Sequence, residues 1–416
     1  MSEFAQTDIA APGVMAVDWE ERVNFDRLRS YRLRRAREAL DNSDLGALLC
    51  FETSNIRYVT GTHIGYWAWN KAERYALLTR SGEPWIWDFG SAAKAHRLQC
   101  PWLDPEHSRG GNTGLQGAIA PTSGLPERAA REIRQVLEDE GVAGEALGVD
   151  IVEMPILTAL QDQGITVRDG QQTMLAARQI KSHDEILLLS QACAMVDGVY
   201  QDIYEALKPG VRESDIVALA TKRLIEMGSE HVEAINSIAG ERCSPHPHVY
   251  SDRLIRPGDQ AYFDIIHVFN GYRTCYYRTF AVGRATLAHH DAYRKAREWI
   301  DAAIELVKPG VTTDEIARAW PEATEFGFPD EMEAFGLQFG HGVGVGLHEP
   351  PIISRLNSLD NPIELQEGMV FALETYCPAS DGHSAARIEE EVVCTADGAK
   401  LLTLFPAEEL VITNEY

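Results

Sequence analysis

Two histidines and two glutamates carry the most legible chemistry in this 416-residue chain. His341 and His348 lie in the run Phe339-Gly-His-Gly-Val-Gly-Val-Gly-Leu-His348-Glu-Pro-Pro351. Glu374 follows His341 by 33 residues, and Glu389 comes 15 later, inside Ala386-Arg387-Ile388-Glu389-Glu390-Glu391-Val392. Upstream, 77 residues before His341, Asp264 stands in a strand-like run that turns at Asn270-Gly271. Imidazoles and carboxylates gathered in this way read as a metal-enzyme site. Glu374 ends the apolar run Met369-Val-Phe-Ala-Leu373, where an unpaired carboxylate is costly to bury unless a cation compensates it. Glu391 shares the face of Glu389 on a regular strand and reads as a charged neighbour.

The elements that must position these groups start with the hairpin. An Asn-Gly pair between strand-like runs is a strong signal for a two-residue turn. Pairing symmetrically about it sets Asp264 opposite Tyr277 and Ile266 opposite Cys275. Cross-strand partners share a face, as do residues two apart on one strand, so Asp264 and Cys275 project to the same side and His267 to the other. His267 is therefore expected to be structural. The glycines at 340, 342, 344 and 346 do not make a dinucleotide loop, since no acidic residue closes a second βαβ strand about 20 positions on; they permit close backbone approach around His341.

These motifs resemble the pita-bread superfamily of methionine aminopeptidase, prolidase, aminopeptidase P and creatinase. Its stretches read roughly D-x-G-x-x-x-x-G-Y-x-S-D-x-T-R-T-F, G-H-G-x-G-x-x-x-H-E-x-P, E-P-G and R-x-E-D. Here the first is Asp264-Ile-Ile-His-Val-Phe-Asn-Gly-Tyr-Arg-Thr-Cys275-Tyr-Tyr-Arg-Thr-Phe280. The resemblance implies a metal centre of Asp264, Cys275, His341, Glu374 and Glu389. Cys275 stands where the family carries an aspartate that bridges two ions. A thiolate offers one soft sulfur, which favours zinc or iron, so one divalent ion is expected; manganese and cobalt stay compatible. Creatinase, which cleaves a C–N bond without metal, keeps metal-free chemistry open. Cys243-Ser-Pro-His246-Pro-His248-Val-Tyr250-Ser-Asp252 resembles the P-H-x-x-x-S-D stretch whose histidine binds substrate or shuttles a proton; either His246 or His248 fits. His348 resembles the second family histidine, which contacts substrate, and Glu374 the proton carrier.

Composition bounds the rest. The formal charge is 38 − 63 = −25, which repels nucleic acid and anionic membrane. The first thirty residues hold Asp18, Glu20, Glu21 and Asp26 and no continuous apolar segment, so the reading is cytoplasmic, with neither secretory signal nor span. Seven scattered cysteines without a C-x-x-C pair fit reduced thiols. The chain reads as α/β (α+β): a creatinase-like N-terminal domain over residues 1–177 and a pita-bread catalytic domain over 178–416. Ser182 with Glu185 forms a capping-box signal at the junction, a helix is expected from Glu213 to Met227, and no internal repeat is evident. The resemblance also implies a homodimer.

Three functions are compatible with these residues. The first is metal-assisted hydrolysis of a C–N bond in a small substrate of the Xaa-Pro peptide or creatinase type. The second rests on Asn55-Ile-Arg-Tyr58, the aromatics Tyr66, Trp67 and Trp69, Trp85-Ile-Trp87-Asp88 and Glu374-Thr-Tyr376, which resemble the dimethylsulfoniopropionate lyases of this fold; aromatic faces can hold a sulfonium. Ordinary packing is the competing account of the tryptophans. The third is a binding protein that keeps the fold without catalysis.

Overall fold

The computed structural model describes residues 23–65, 73–111 and 117–416. Tyr66, Trp67 and Trp69 lie outside the described residues. These divide into two compact units, one running from Asn24 to Arg178 and the other comprising Gln179–Tyr416 together with Val23.

In the first unit, helix α1 (Phe25–Asp41) is capped by Asn24, whose side chain accepts from the Asp26 and Arg27 amides. Strand β1 (Leu45–Cys50) leads to α2 (Thr53–Thr60), which Gly61 ends in a left-handed conformation. Then come β2 (Tyr75–Thr79), β3 (Trp85–Asp88), α3 (Ala92–Gln99), β4 (Ser108–Gly110), α4 (Leu125–Asp139), β5 (Ala146–Val149), α5 (Met154–Asp162), β6 (Val167–Asp169) and α6 (Gln171–Arg178). The strands form one mixed sheet in the order β4-β3-β2-β1-β5-β6.

The described residues of this unit that suggested a sulfonium site are committed elsewhere. Trp85 stacks on His107 with ring centroids 3.7 Å apart, and the Arg109 guanidinium lies 4.4 Å from its ring. Trp87 is buried and donates its indole N–H to Glu132 at 2.9 Å. Asp88 lies 2.6 Å from His96, Asn55 bonds Asp150 and Arg178, and the Tyr58 hydroxyl bonds the Ala177 carbonyl. Packing accounts for these side chains.

The second unit opens with α7 (His183–Ala206), whose capping box of Ser182 and Glu185 is present as expected, and α8 (Glu213–Met227). Strands β7 (His231–Ala239), β8 (Gln260–Phe269), β9 (Tyr272–Thr274) and β10 (Tyr277–Val282) precede α9 (Leu287–Glu305) and α10 (Thr313–Ala319). Strands β11 (Phe339–Gly342), β12 (Glu349–Ile353), β13 (Val370–Pro378), β14 (Ala385–Thr395), β15 (Gly398–Leu401) and β16 (Val411–Thr413) complete it. One sheet runs β16-β10-β8-β7 with β9 on β8, and the other β12-β11-β13-β14-β15. Helices α7 and α8 share a core with the first, and α9 and α10 with the second.

The structure corrects the expectation that the chain has no repeat. Leu207-Lys-Pro-Gly-Val211 joins α7 to α8, and Val307-Lys-Pro-Gly-Val311 joins α9 to α10. Gly210 and Gly310 both have positive φ, 92° and 89°. The Gly210 amide bonds the Ile255 carbonyl and the Ile255 amide returns to Val211; Gly310, Leu365 and Val311 repeat the pattern. A period of about 100 residues with little identity outside this motif hides the duplication from inspection.

The hairpin has the expected register. Asn270 and Gly271 take φ of 48° and 88°, the pair of positive values that a type I′ turn needs. Asp264 pairs with Tyr277 and His267 with Thr274. His267 faces away from the site, with Nδ1 2.9 Å from Ser229 Oγ and Nε2 3.0 Å from the Ala192 carbonyl. Burial pulls its pKa down to about 4. Above pH 6.5 it is neutral folded or unfolded; between 6.5 and 4 only the unfolded chain takes up the proton, so stability falls as pH falls. The loss from this group is on the order of 3 kcal/mol. His267→Asn is expected to remove that component, so that the gap between its stability and the wild type's narrows by about this amount from pH 7 to pH 4 in urea unfolding.

Candidate metal centre

The registers of β11, β13 and β14 assemble the site. Phe339 pairs with Glu374, and His341 with Ala372; Glu374 pairs with Glu389, Ala372 with Glu391, and Tyr376 with Arg387. Because cross-strand partners and alternate residues share a face, one side of this sheet carries His341, Glu374, Arg387, Glu389 and Glu391. Asn236, Asp264 and Tyr277 form a row across β7, β8 and β10. Cys275 sits between β9 and β10, with its Sγ 3.5 Å from Asp264 Oδ1 and 3.9 Å from Glu389 Oε2.

All five predicted ligands are buried in this region, but they are not equivalent. Cys275, His341 and Glu389 each place a ligating atom within 4.8 Å of the others. Glu374 is ion-paired to Arg387. Asp264 receives the Asn236 amide at 3.0 Å and the Cys275 thiol at 3.5 Å.

Glu389 Oε1 is the atom that shows a missing partner. It is buried and has no hydrogen bond, yet it stands 3.7 Å from His341 Nε2. His341 Nδ1 lies 3.2 Å from the Gly342 carbonyl, an acceptor, which fixes the proton on Nδ1 and leaves a lone pair on Nε2. A carboxylate oxygen and an imidazole lone pair thus face each other beside a thiol. Ligand distances of about 2.0–2.3 Å around a tetrahedral ion put donor atoms about 3.3–3.8 Å apart, and the 3.7 Å between His341 Nε2 and Glu389 Oε1 falls in this range. The three donors fit a divalent cation.

The electrostatics agree. Burial, then Asp264 and Glu389, push the Cys275 thiol well above the usual thiol range. Burial and then Asp264 push Glu389 up; burial and then Glu389 push Glu374 up, against the pull of Arg387. Burial pushes Glu391 up to about 7, although Thr274 Oγ1 and the Cys275 amide donate to it. So many acids pushed up by burial and by one another mark a site short of positive charge.

The two candidate histidines on the 243–252 loop differ sharply. His246 Nδ1 accepts the His248 amide at 3.1 Å, and its Nε2 lies 2.8 Å from the Tyr277 hydroxyl; both nitrogens are engaged. His248 is exposed, stacks on His246 with centroids 3.8 Å apart, and has φ of 53°, a region that costs a non-glycine residue energy and recurs at functional positions. His348 is exposed and meets the His341 ring edge-on at 4.7 Å. Burial and His341 bring its pKa down to about 4.

Sequence reasoning passed over Tyr277, Asn236 and Arg387. The first was within reach, since the hairpin pairing sets it opposite Asp264. Glu390, on the opposite face from Glu389, bonds Arg278 and Arg297 at 2.9 and 3.0 Å. All seven cysteines are free, and no helix among the described residues is long and apolar enough to cross a membrane.

Comparison with known proteins adds two domain families. Metallopeptidase family M24 matches residues 188–396, and the Creatinase/Prolidase N-terminal domain matches residues 32–180. The dimethylsulfoniopropionate lyase DddP of Roseovarius nubinhibens is 27% identical over 398 residues, which is 92% of this chain and 87% of that protein. The probable dipeptidase PepE of Mycobacterium tuberculosis is 33% identical over 239 residues, 56% of this chain and 61% of the relative's own length. Among solved structures, the Xaa-Pro dipeptidase of Bacillus anthracis aligns with a TM-score of 0.73 at 20% identity, over 92% of this chain and 99% of that one, a likeness of fold.

Proposed function

This chain belongs to metallopeptidase family M24, with a creatinase/prolidase N-terminal domain and a pita-bread C-terminal domain, and from that premise we propose that it is a one-metal hydrolase that cleaves a C–N bond in a small substrate. The observation that carries this reading is the orphaned Glu389 Oε1 facing the His341 Nε2 lone pair beside Cys275. Cys275, His341 and Glu389 hold the cation, and a sulfur, a nitrogen and an oxygen donor together favour zinc or iron(II) over magnesium or manganese. When bound, such a cation polarises a carbonyl and acidifies water near neutral pH.

The chain's own residues do the rest. Glu374, whose pKa burial raises, carries a proton from the attacking water to the leaving nitrogen. Arg387 fixes its carboxyl through the ion pair. His348, neutral at pH 7, offers an N–H to the developing oxyanion. His248 meets the substrate from the exposed side, while His246 acts as its brace. Two copies of the chain form the working unit in this reading.

The lyase reading is retained for one reason: the match to DddP runs through both halves of this chain, whereas the dipeptidase match covers 56% of it. In that reading, a carboxylate of this same site removes the proton α to the substrate carboxylate, and dimethyl sulfide leaves.

The test is elemental analysis of protein purified without chelator or metal-affinity tag, followed by assay of Xaa-Pro dipeptides and dimethylsulfoniopropionate. One ion per chain with dipeptide turnover is expected. Dimethyl sulfide release without dipeptide turnover would select the lyase, and a chain that binds no ion under any loading condition would overturn both.

A further inference from the structure

The glycine loop between His341 and His348 is held by groups that no step above uses. Strands β11 and β12 are antiparallel neighbours, and residues 343–348 turn between them. Beneath the turn, Glu349 Oε1 accepts the Gly346 amide at 2.8 Å, and Glu349 Oε2 lies 2.8 Å from Lys181 Nζ. Both side chains of this ion pair are buried, with 1% and 0% exposure. Lys181 is itself tied down: its amide donates to the Gly368 carbonyl at 2.9 Å, and Ile180 bridges to Met369, directly before the strand that carries Glu374.

The loop lies close against the pair. A Cβ at Gly344 would stand 2.9 Å from Glu349 Oε2 and 3.0 Å from Lys181 Cε, so a side chain there would have to displace the ion pair. From the other side, the Arg273 amide donates to the Gly344 carbonyl at 2.8 Å and its guanidinium to the Val345 carbonyl, while Glu233 holds that guanidinium at 2.9 Å. His348 stands at the end of the turn, next to Glu349 in the chain, with its ring 4.7 Å from that of His341. Stability alone does not call for a buried ion pair here, since an apolar pair of similar volume serves a core as well. What an apolar pair would not supply is the second carboxylate oxygen, which holds the Gly346 amide.

We propose that Lys181 and Glu349 are positioning residues that pin the glycine loop and thereby set the His348 imidazole in place for the reaction. This inference rests on the reading of His348 as the donor to the developing oxyanion. A donor fixed before the substrate arrives needs no reorganisation during the reaction, which is where such donors gain their effect.

The test compares full-length variants in kcat and KM on Xaa-Pro dipeptides, in cation content and in hydrogen exchange of the Gly346 amide. Lys181→Met alone strands a buried carboxylate, so the decisive variant is Lys181→Met with Glu349→Met, which replaces the pair by apolar side chains of similar length. Its melting temperature is expected within about 5 °C of the wild type's, with cation content unchanged. The Gly346 amide should exchange at least about tenfold faster. Turnover should fall by about a hundredfold, the scale of a misplaced reacting group, with KM within about threefold, as for an interaction made only in the transition state. In a His348→Ala background the same two substitutions should lower kcat by less than about threefold, because the group they place is already gone.

Wild-type kcat in the folded double variant would reduce the pair to packing and overturn the proposal. So would a hundredfold loss that persists in the His348→Ala background, which would make the loop act through another group, or an unchanged exchange rate at Gly346, which would show that the pair does not hold the loop. A wild type that turns over no dipeptide removes the hydrolase reading itself, and the proposal with it.

Discussion

His341→Ala is expected to abolish stoichiometric cation binding and to lower turnover by about a thousandfold or more. His341 is the one neutral donor in the trio, and its Nε2 is already presented with a lone pair because the Gly342 carbonyl holds Nδ1. Without it, Cys275 and Glu389 keep two donors for an ion that takes four. Losing one member of a buried, charge-compensating set costs about 3 kcal/mol or more, roughly 150-fold in affinity. The catalytic loss is larger, since polarisation of the carbonyl and acidification of water go together with the ion. The measurement is ion content by elemental analysis after dialysis against trace metal, with kcat on the best substrate. A variant that keeps one tightly held ion would move the centre away from His341, whereas one that loses the ion yet keeps its turnover would point to metal-free chemistry.

What the sequence makes legible here is local or periodic. The capping box at Ser182 and Glu185, the helix from Glu213 to Met227 and the Asn270-Gly271 turn are each written within a few residues, and each is found at the expected place. The turn fixes the register, and the register alone puts Asp264 and Cys275 on one face and His267 on the other. Partners brought from afar are not written this way. Arg387 reads in sequence as part of a motif, but its ion pair with Glu374 depends on the packing of β13 against β14. Glu389 and Glu374 have the same residue type and lie on facing positions of paired strands. Only three-dimensional placement shows that one has an arginine and the other an empty oxygen. The same limit hid the duplication, because helix pairs repeat their packing while most of their residues diverge.

The neighbouring strand pair yields the other large effect. Arg278→Met is expected to destabilise the chain by about 3–5 kcal/mol, lowering its melting temperature by roughly 6–20 °C for a unit of this size. The Arg278 side chain is buried and donates to the Phe405, Tyr277 and Glu389 carbonyls at 3.0, 3.0 and 2.6 Å, and to Glu390 Oε2 at 2.9 Å. Methionine fills the volume but leaves three carbonyls and a carboxylate oxygen short of a donor, and each such loss costs about 1–3 kcal/mol where nothing replaces it. Arg297 and Thr403 still reach Glu390, which holds the total to the stated range. Arg278→Lys separates charge from geometry. It keeps the cation but cannot reproduce the planar fork that serves four acceptors, so it should recover less than half of the loss in urea unfolding. Full recovery by lysine would mean that Glu390 needs only a nearby charge. Because one of the four acceptors is the carbonyl of Glu389 itself, both variants should also weaken cation affinity. The effect should be smaller than that of His341→Ala, since the strand that carries the ligand loses a tether while the ligand remains.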